Sequence, residues 1–134
     1  MKTTLRLALT LVLAATSRCV LAEWIEIEKF DDGMLIYVDA ATVRRNGDTA
    51  EVVHLVRWAE PQQDSGLPAY SSTAVRTAYD CRNKGERYLA STSYAGGMGS
   101  GAVVIADDNE APGWYSISDS SMEDKLWKIA CGLN

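Results

Sequence analysis

From Trp24 onward, apolar and polar residues alternate with a period of two through most of this chain. In residues 24–29 (WIEIEK), two isoleucines alternate with two glutamates. Because successive side chains of a β-strand point to opposite faces of a sheet, this alternation indicates half-buried strands. The chain is therefore expected to be mostly β-structure.

Turn-forming residues divide the alternating region into separate strands. After the first strand, further strands are predicted at residues 34–39, 49–59, 70–81, 86–95 and 102–106, between segments rich in Gly, Asn, Asp or Pro. Residues 39–42 resemble a capped helical turn, and residues 60–68 are expected to form an exposed loop. Short turns between consecutive strands favour hairpins, so the predicted sheet is antiparallel.

The C-terminal segment changes to the period of an α-helix. Ser120 and Glu123 fit a capping box with Ser120 as the N-cap, and Gly132 supplies a stop signal. Asp124, Lys125 and Lys128 fall on the polar arc. The apolar arc of this helix contains Met122, Leu126, Trp127, Ile129, Ala130 and Cys131. The expected fold class is α+β, an antiparallel sheet of about six strands with one C-terminal helix packed across it.

Residues 1–22 have the features of a cleavable secretory signal peptide. Lys2 and Arg6 precede an apolar run at residues 7–15, and cleavage is predicted between Ala22 and Glu23. The apolar run is far shorter than the roughly 20 residues that span a bilayer, so no membrane insertion of the mature chain is expected. Residues 23–134 then form one domain in the periplasm or outside the cell.

Two further features concern anchoring and covalent cross-linking. A lipid anchor on Cys19 is not expected, because Arg18 occupies the position where lipoprotein processing requires a small residue. Cys81 and Cys131 remain after cleavage, and an even number of cysteines in an oxidising compartment predicts a disulfide. Closing a loop of this length stabilises a fold by about 4 kcal/mol in the chain-entropy model. A metal pair or a reactive thiol is disfavoured, since the chain has one histidine and no CxxC.

The charge of the chain limits its partners. Its formal net charge of −5 becomes −8 after cleavage, because the signal segment carries three cations and no acid. Nucleic acids and anionic membranes are bound through Lys/Arg clusters, so neither is expected as a partner. A basic protein partner is compatible with the charge, and so is a simple role in solubility.

No catalytic, cofactor or metal site is predicted, and no ligand-binding residue is identified. His54 lies in mid-strand without a spaced nucleophile or further ligands, so a structural or partly exposed histidine is favoured. The glycines of residues 96–101 lead into a strand with no lysine, which favours a flexible hairpin loop over a phosphate loop. Residues 107–110 (DDNE) carry oxygen ligands suited to calcium but lack EF-hand spacing, so a solvated turn is favoured.

Aromatic residues near strand ends could belong to a binding surface or to the core, since both environments favour them. This set comprises Trp58, Tyr70, Tyr94, Trp114 and Tyr115.

An ordered series of short segments resembles the surface-adhesin protein E-like family of small exported proteobacterial proteins. The series consists of Trp24, Ile36-Tyr37-Val38-Asp39, Val43-Arg44-Arg45-Asn46-Gly47, Tyr70-Ser71-Ser72, Tyr79-Asp80-Cys81, Tyr88, Trp114 and Ala130-Cys131. The resemblance implies an antiparallel sheet with a helix, and adhesion to host proteins and cells. The family member that gives the family its name is a surface lipoprotein, and Arg18-Cys19 departs from that pattern.

Three functions follow from these features. The first is an exported non-enzymatic binding module, adhesin-like, whose ligand is a protein. The alternative is a periplasmic inhibitor of a basic hydrolase such as lysozyme, and residues 65–70 (SGLPAY) approach the Ser-Gly-x-x-Tyr loop of one inhibitor family. A small hydrolase comes third and would require a deep pocket lined by His54 and two close acids. Exposed edge strands would also allow a homodimer.

Overall fold

The computed structural model of the protein describes residues 22–134, so residues 1–21 of the predicted signal peptide lie outside the described range. Seven strands and one helix are formed. The strands are β1 (Ile25–Lys29), β2 (Leu35–Asn46), β3 (Thr49–Gln62), β4 (Tyr70–Asp80), β5 (Gly85–Tyr94), β6 (Val103–Asp107) and β7 (Tyr115–Ser116), and the helix is α1 (Met122–Cys131). Within the described residues, no helix has the length and apolar character needed to cross a membrane.

All the strands belong to one antiparallel sheet. Strands β1 to β6 lie in chain order, each hydrogen-bonded to the next. Strand β7 pairs with the first residues of β5, through Gly85 with Ser116 and Glu86 with Tyr115, whereas β6 pairs with the end of β5. The predicted α+β class, with one C-terminal helix and a sheet of about six strands, is confirmed. The short strand β7 was not predicted.

The predicted helical turn at residues 39–42 is wrong, because this segment is an irregularity within β2. The register with β3 shifts between Asp39 and Arg44. Asp39 does cap locally, since its Oδ1 accepts from the Ala41 amide at 3.0 Å. However, the Thr42 hydroxyl accepts from the Val53 amide of β3 at 2.9 Å, which keeps the segment in the sheet.

Strand β3 also continues beyond its predicted end. It extends to Gln62, and its register with β4 shifts between Arg57 and Gln62. The loop predicted for residues 60–68 is therefore shorter than expected. Pairing of Gln62 with Tyr70 supports the extra residues even though Pro61 cannot donate a backbone hydrogen bond.

The helix begins one residue later than the capping box predicted. Ser121 is the N-cap, and its hydroxyl accepts from the Asp124 amide at 3.1 Å. Ser120 instead adopts a left-handed backbone conformation with φ of 61°, and its amide donates to the Asp124 carboxylate at 3.2 Å. The predicted end is confirmed, because Gly132 has φ of 67° and its N–H returns to the last turn.

The main hydrophobic core lies between the helix and one face of the sheet. The helix packs against β2, β3 and β4. The buried residues of this core are Val38, Ala50, Val52, Tyr79, Ile117, Leu126, Ala130 and Cys131. Cys81 and Cys131 form a disulfide with 5.6 Å between their Cα atoms, and the Trp127 indole donates to the Asp80 carbonyl at 3.0 Å. These contacts fix the end of the helix to the end of β4.

Asp124 does not face solvent, contrary to the polar arc predicted for it. Its side chain is buried and pairs with Lys84 at 2.7 Å and Lys128 at 2.9 Å. These two ammonium groups lower the pKa of Asp124 to about 2. Burial of this carboxylate is tolerated because both cations and the Ser120 backbone amide compensate its charge.

Candidate functional site

A pocket of about 230 Å³ lies beside the start of the helix, between the helix and strands β3, β4 and β5. We call it the helix-start pocket. It is lined by His54, Thr77, Tyr79, Glu86, Tyr88, Tyr115, Met122, Glu123 and Leu126. Cross-strand pairing brings the β4 and β5 residues together, because Thr77 pairs with Tyr88 and Tyr79 with Glu86. His54 on β3 pairs with Val75, two residues before Thr77.

His54 lies in the wall of this pocket. Its side chain is only 7% exposed, and its pKa falls to about 4, chiefly because burial disfavours the charged imidazolium. The imidazole is therefore neutral at pH 7. Its Nδ1 atom has no hydrogen-bond partner within residues 22–134. The histidine is buried, and it also faces a space that a ligand could enter.

Glu86 and Glu123 give the pocket its charge. Glu86 begins β5, and Glu123 belongs to the first turn of the helix. Burial raises the pKa of Glu86, and repulsion from Glu123 raises it further. In the part of the chain that the structure describes, neither carboxylate forms an ion pair. The pocket therefore holds two carboxyl groups that have no ion-pair partner among the described residues.

Tyr79 forms part of the pocket floor and is fully buried. Burial raises the pKa of its phenol, and the charge of Glu86 adds to this effect. Although Thr77 lies beside it, the hydroxyl makes no hydrogen bond of normal geometry to a described residue. Buried polar groups are nearly always hydrogen-bonded, so the lack of a regular hydrogen bond at both Tyr79 and His54 is unusual.

Two further tyrosines line the pocket. The Tyr88 hydroxyl donates to the Asp107 carboxylate at 2.9 Å, which fixes the position of its ring. Tyr115 is 58% exposed and belongs to β7. Together with the two glutamates, these rings provide acceptors and aromatic surface, a combination suited to cationic groups.

The aromatic residues singled out from the sequence separate into different regions. Trp114 and Tyr115 are exposed near the helix-start pocket, and the Arg87 guanidinium lies 5.2 Å from the Trp114 ring. Trp58 is partly buried and donates to the Thr73 hydroxyl at 3.2 Å. Tyr70 lies within 3.4 Å of the Asp64 carboxylate. Of the set, only Tyr115 lines the helix-start pocket.

A second pocket, of about 370 Å³, lies at a different place on the sheet. It is lined by Ala22, Trp24, Ala74, Tyr94, Met98 and Gly99. Its lining contains no ionisable side chain other than the tyrosine, so it has none of the charge of the helix-start pocket.

The glycine-rich residues 96–101 form the predicted hairpin loop between β5 and β6. The buried Ser72 hydroxyl donates to the Gly96 carbonyl at 2.6 Å and accepts from the Gly99 amide at 2.9 Å. Met98 has φ of 58° and is partly buried in the second pocket. These bonds hold the loop against β4, so its tip is not a free contact point.

Asp107 ends β6, and the exposed residues 108–110 that follow have no regular structure and do not form the predicted turn. The Asp107 carboxylate accepts from the Asn109 amide at 3.1 Å and from Tyr88, and these bonds lower its pKa. No cluster of three or more His, Cys, Asp or Glu side chains suited to a metal ion occurs among residues 22–134.

Sequence reasoning missed Glu86, Glu123 and Tyr79 as members of one site. One signal was available, because a hairpin closed by the turn at residues 82–85 places Glu86 opposite Tyr79 on the face under the helix. An acid at such a position is unusual for a core. Glu123 was instead assigned to the capping box, and the shift of the cap to Ser121 leaves its side chain beside the pocket.

Comparison with known families gives one clear match. The family model described as Surface-adhesin protein E matches residues 24–132, which is nearly all of the described chain. No curated protein sequence matches this chain.

Solved structures of Haemophilus influenzae protein E have the same fold. One is 13% identical with a TM-score of 0.65, covering 84% of this chain and 86% of that chain. The selenomethionine form is 12% identical with a TM-score of 0.63, covering 80% of this chain and 85% of that chain. A further crystal form is 13% identical with a TM-score of 0.61, covering 72% and 80%. At this identity the likeness establishes the fold, while the family model covers the sequence itself, and the chain therefore belongs to the Surface-adhesin protein E family.

Proposed function

We propose that the mature chain, residues 23–134, is an exported, non-enzymatic adhesin-like module that binds a protein outside the cytoplasm. The observation that carries this proposal is the family match over residues 24–132. The signal-like residues 1–22 and the disulfide between Cys81 and Cys131 support export to an oxidising compartment. Lipid anchoring is not part of the proposal, because Arg18 precedes Cys19.

The small hydrolase, the third function considered from the sequence, also needs weighing, since the helix-start pocket contains His54 and two acids. The properties of His54 count against it. A general base is most effective when its pKa lies near the working pH, and the pKa of His54 is about 4. The pocket lining contains no serine or cysteine, and its one aliphatic hydroxyl belongs to the buried Thr77. Binding is therefore the better interpretation of this pocket.

Attachment to host cells tests the proposed function. The mature chain is coupled to fluorescent beads, and bead attachment to cultured host cells is counted with and without an excess of free mature chain. We expect attachment that the free chain abolishes. The matched control is the Cys81→Ser/Cys131→Ser double variant, which has the same charge but lacks the cross-link.

Two further assays separate the other candidate functions. Lysozyme turnover is measured with the mature chain in excess, and model ester and glycoside substrates are incubated with the chain alone. We expect no inhibition and no turnover. Beads that attach no better than uncoated beads, or inhibition of lysozyme at micromolar protein, would overturn the proposal.

A further inference from the structure

We propose that the helix-start pocket binds a basic side chain of the protein partner, with arginine preferred to lysine. This inference rests on the proposed function for the identity of the partner, but the pocket itself can be tested without that partner. Four features carry it: two uncompensated carboxylates, two unsatisfied buried polar groups, two tyrosine rings, and cations that are engaged elsewhere.

The carboxylates are the first feature. Glu86 is raised in energy by burial and by the nearby charge of Glu123. A cation placed between them would relieve both the repulsion and the lost solvation. No ion pair among residues 22–134 supplies that cation. Lys84 binds Asp124, and so does Lys128 from the last turn of the helix.

The unsatisfied polar groups are the second feature. His54 Nδ1 and the Tyr79 hydroxyl are buried in the pocket wall, and neither makes a hydrogen bond of normal geometry to a described residue, although Thr77 lies beside Tyr79. Their side chains are at least nine-tenths buried. The neutral imidazole can accept a hydrogen bond, and the phenol oxygen can accept one as well. A donor entering the pocket would satisfy groups that the fold leaves unsatisfied.

The tyrosine rings are the third feature. Tyr88 is held by its bond to Asp107, and Tyr115 stands at the exposed side of the pocket. A planar cation is attracted to the face of an aromatic ring. The neighbouring pair of Arg87 and Trp114, 5.2 Å apart, shows the same kind of contact on this part of the molecule.

The number and spread of the acceptors favour arginine. Glu86, Glu123 and His54 approach the pocket from two strands and the helix. A guanidinium presents five N–H donors in one plane and is more weakly hydrated than an ammonium group. It can therefore bind several acceptors at once and still stack on a tyrosine ring.

Small probes test the pocket directly on the mature chain. N-acetyl-arginine methylamide, the lysine analogue and the neutral isostere N-acetyl-citrulline methylamide are titrated while amide chemical shifts are recorded by NMR. We expect shifts centred on the pocket residues, with the dissociation constant of the citrulline probe about tenfold or more higher than that of the arginine probe.

Charge-removing variants test which carboxylates matter. Glu86→Gln and Glu123→Gln should each weaken binding of the arginine probe by about tenfold. Glu60→Gln removes the same charge from an exposed residue outside the pocket and should leave binding unchanged. Thermal unfolding of each variant is measured in parallel, so a loss of binding through unfolding is recognised, and His54→Gln provides a second substitution within the pocket.

The outcomes separate this inference from the proposed function. The proposed arginine site would be overturned if the probes caused no chemical-shift changes at the pocket residues, or if the arginine and citrulline probes bound equally well. It would also be overturned if Glu60→Gln and Glu86→Gln lost the same amount of probe affinity. Probe binding without bead attachment to host cells would support the pocket and overturn the adhesin. If the arginine probe does not bind and beads carrying Glu86→Gln still attach to host cells, the adhesin-like function is supported and the arginine site is overturned.

Discussion

The two flanks of helix α1 differ in whether the polar groups packed there have partners within the described chain. On the anchoring flank, Asp124 pairs with two lysines, Trp127 donates to a backbone carbonyl, and Cys131 forms the disulfide. On the pocket flank, formed by Met122, Glu123 and Leu126, the helix faces carboxylates without an ion pair and buried polar groups without a regular hydrogen bond among residues 22–134. Neighbouring acids, Glu123 and Asp124, therefore have different physical environments.

This difference separates stability from binding. The anchoring flank stabilises the fold because its charges and donors are satisfied internally. The pocket flank carries a cost, since burial and the nearby Glu123 raise the pKa of Glu86 and so disfavour its ionised form. Unsatisfied groups of this kind concentrate at functional sites, where a ligand completes them.

Removing the disulfide should have the largest effect on stability. For the Cys81→Ser/Cys131→Ser variant we expect the free energy of unfolding to fall by about 4 kcal/mol, because the cross-link closes a separation of 50 residues. Urea denaturation of oxidised wild type and of the variant measures the difference. A change below about 1 kcal/mol would mean that the anchoring flank does not depend on its covalent link.

Replacing Asp124 should have the next largest effect, and it should depend on pH. The folded-state pKa of Asp124, about 2, lies below the ordinary aspartate value of 3.8. A depressed pKa contributes stability that is present above the unfolded-state pKa and is lost as pH falls through the folded-state pKa. Asp124→Asn should therefore be less stable than wild type at pH 7, and the two should converge between pH 4 and pH 2.

The control for this prediction is Asp108→Asn, which removes the same charge from an exposed residue outside the helix and strands. Its denaturation midpoint should follow that of the wild type at every pH. If Asp124→Asn behaves like Asp108→Asn, the buried ion pairs of the anchoring flank contribute nothing to stability.

A smaller effect distinguishes the two serines at the start of the helix. Ser121→Ala should cost about 1 kcal/mol, because its hydroxyl caps the Asp124 amide. Ser120→Ala should cost clearly less, since Ser120 contributes its backbone amide to Asp124 and not a side-chain cap. Paired thermal unfolding measurements give the stability loss of each variant. Equal losses would contradict the assignment of Ser121, and not Ser120, as the side-chain cap.

Replacing Glu86 should give the smallest stability change and the opposite sign. A carboxyl group with a raised folded-state pKa makes stability fall as pH rises from its ordinary value of 4.5. Glu86→Gln should therefore be as stable as wild type or more stable at pH 7. Urea denaturation against the Glu60→Gln control measures this, and a destabilised Glu86→Gln variant would show that Glu86 has a stabilising partner.

Much of the fold could be predicted because its signals are local. The alternation of WIEIEK, the Asn46-Gly47 turn and the apolar arc of the helix each depend on near neighbours in sequence. Strand β7 has only two residues and no period to detect. The irregularity at residues 39–42 was missed because Asp39 caps a turn-like backbone in both interpretations, and only the bond from Val53 places it in the sheet.

The site was harder to predict because it depends on contacts between distant segments. Lys84 and Asp124 are forty residues apart, and nothing local to either residue indicates that the acid is buried. The sequence pattern therefore placed Asp124 on the polar arc of the helix, although its side chain is buried. With Asp124 engaged, Glu123 is left at the pocket, and that distinction arises only when the helix packs on the sheet.

Carboxyl-carbon NMR titration of the mature chain tests the central claim most directly. The contrast between the two flanks predicts that Asp124 titrates near pH 2 while Glu86 titrates above its ordinary value of 4.5. Ordinary pKa values for both groups, or a lowered pKa for Glu86, would contradict it.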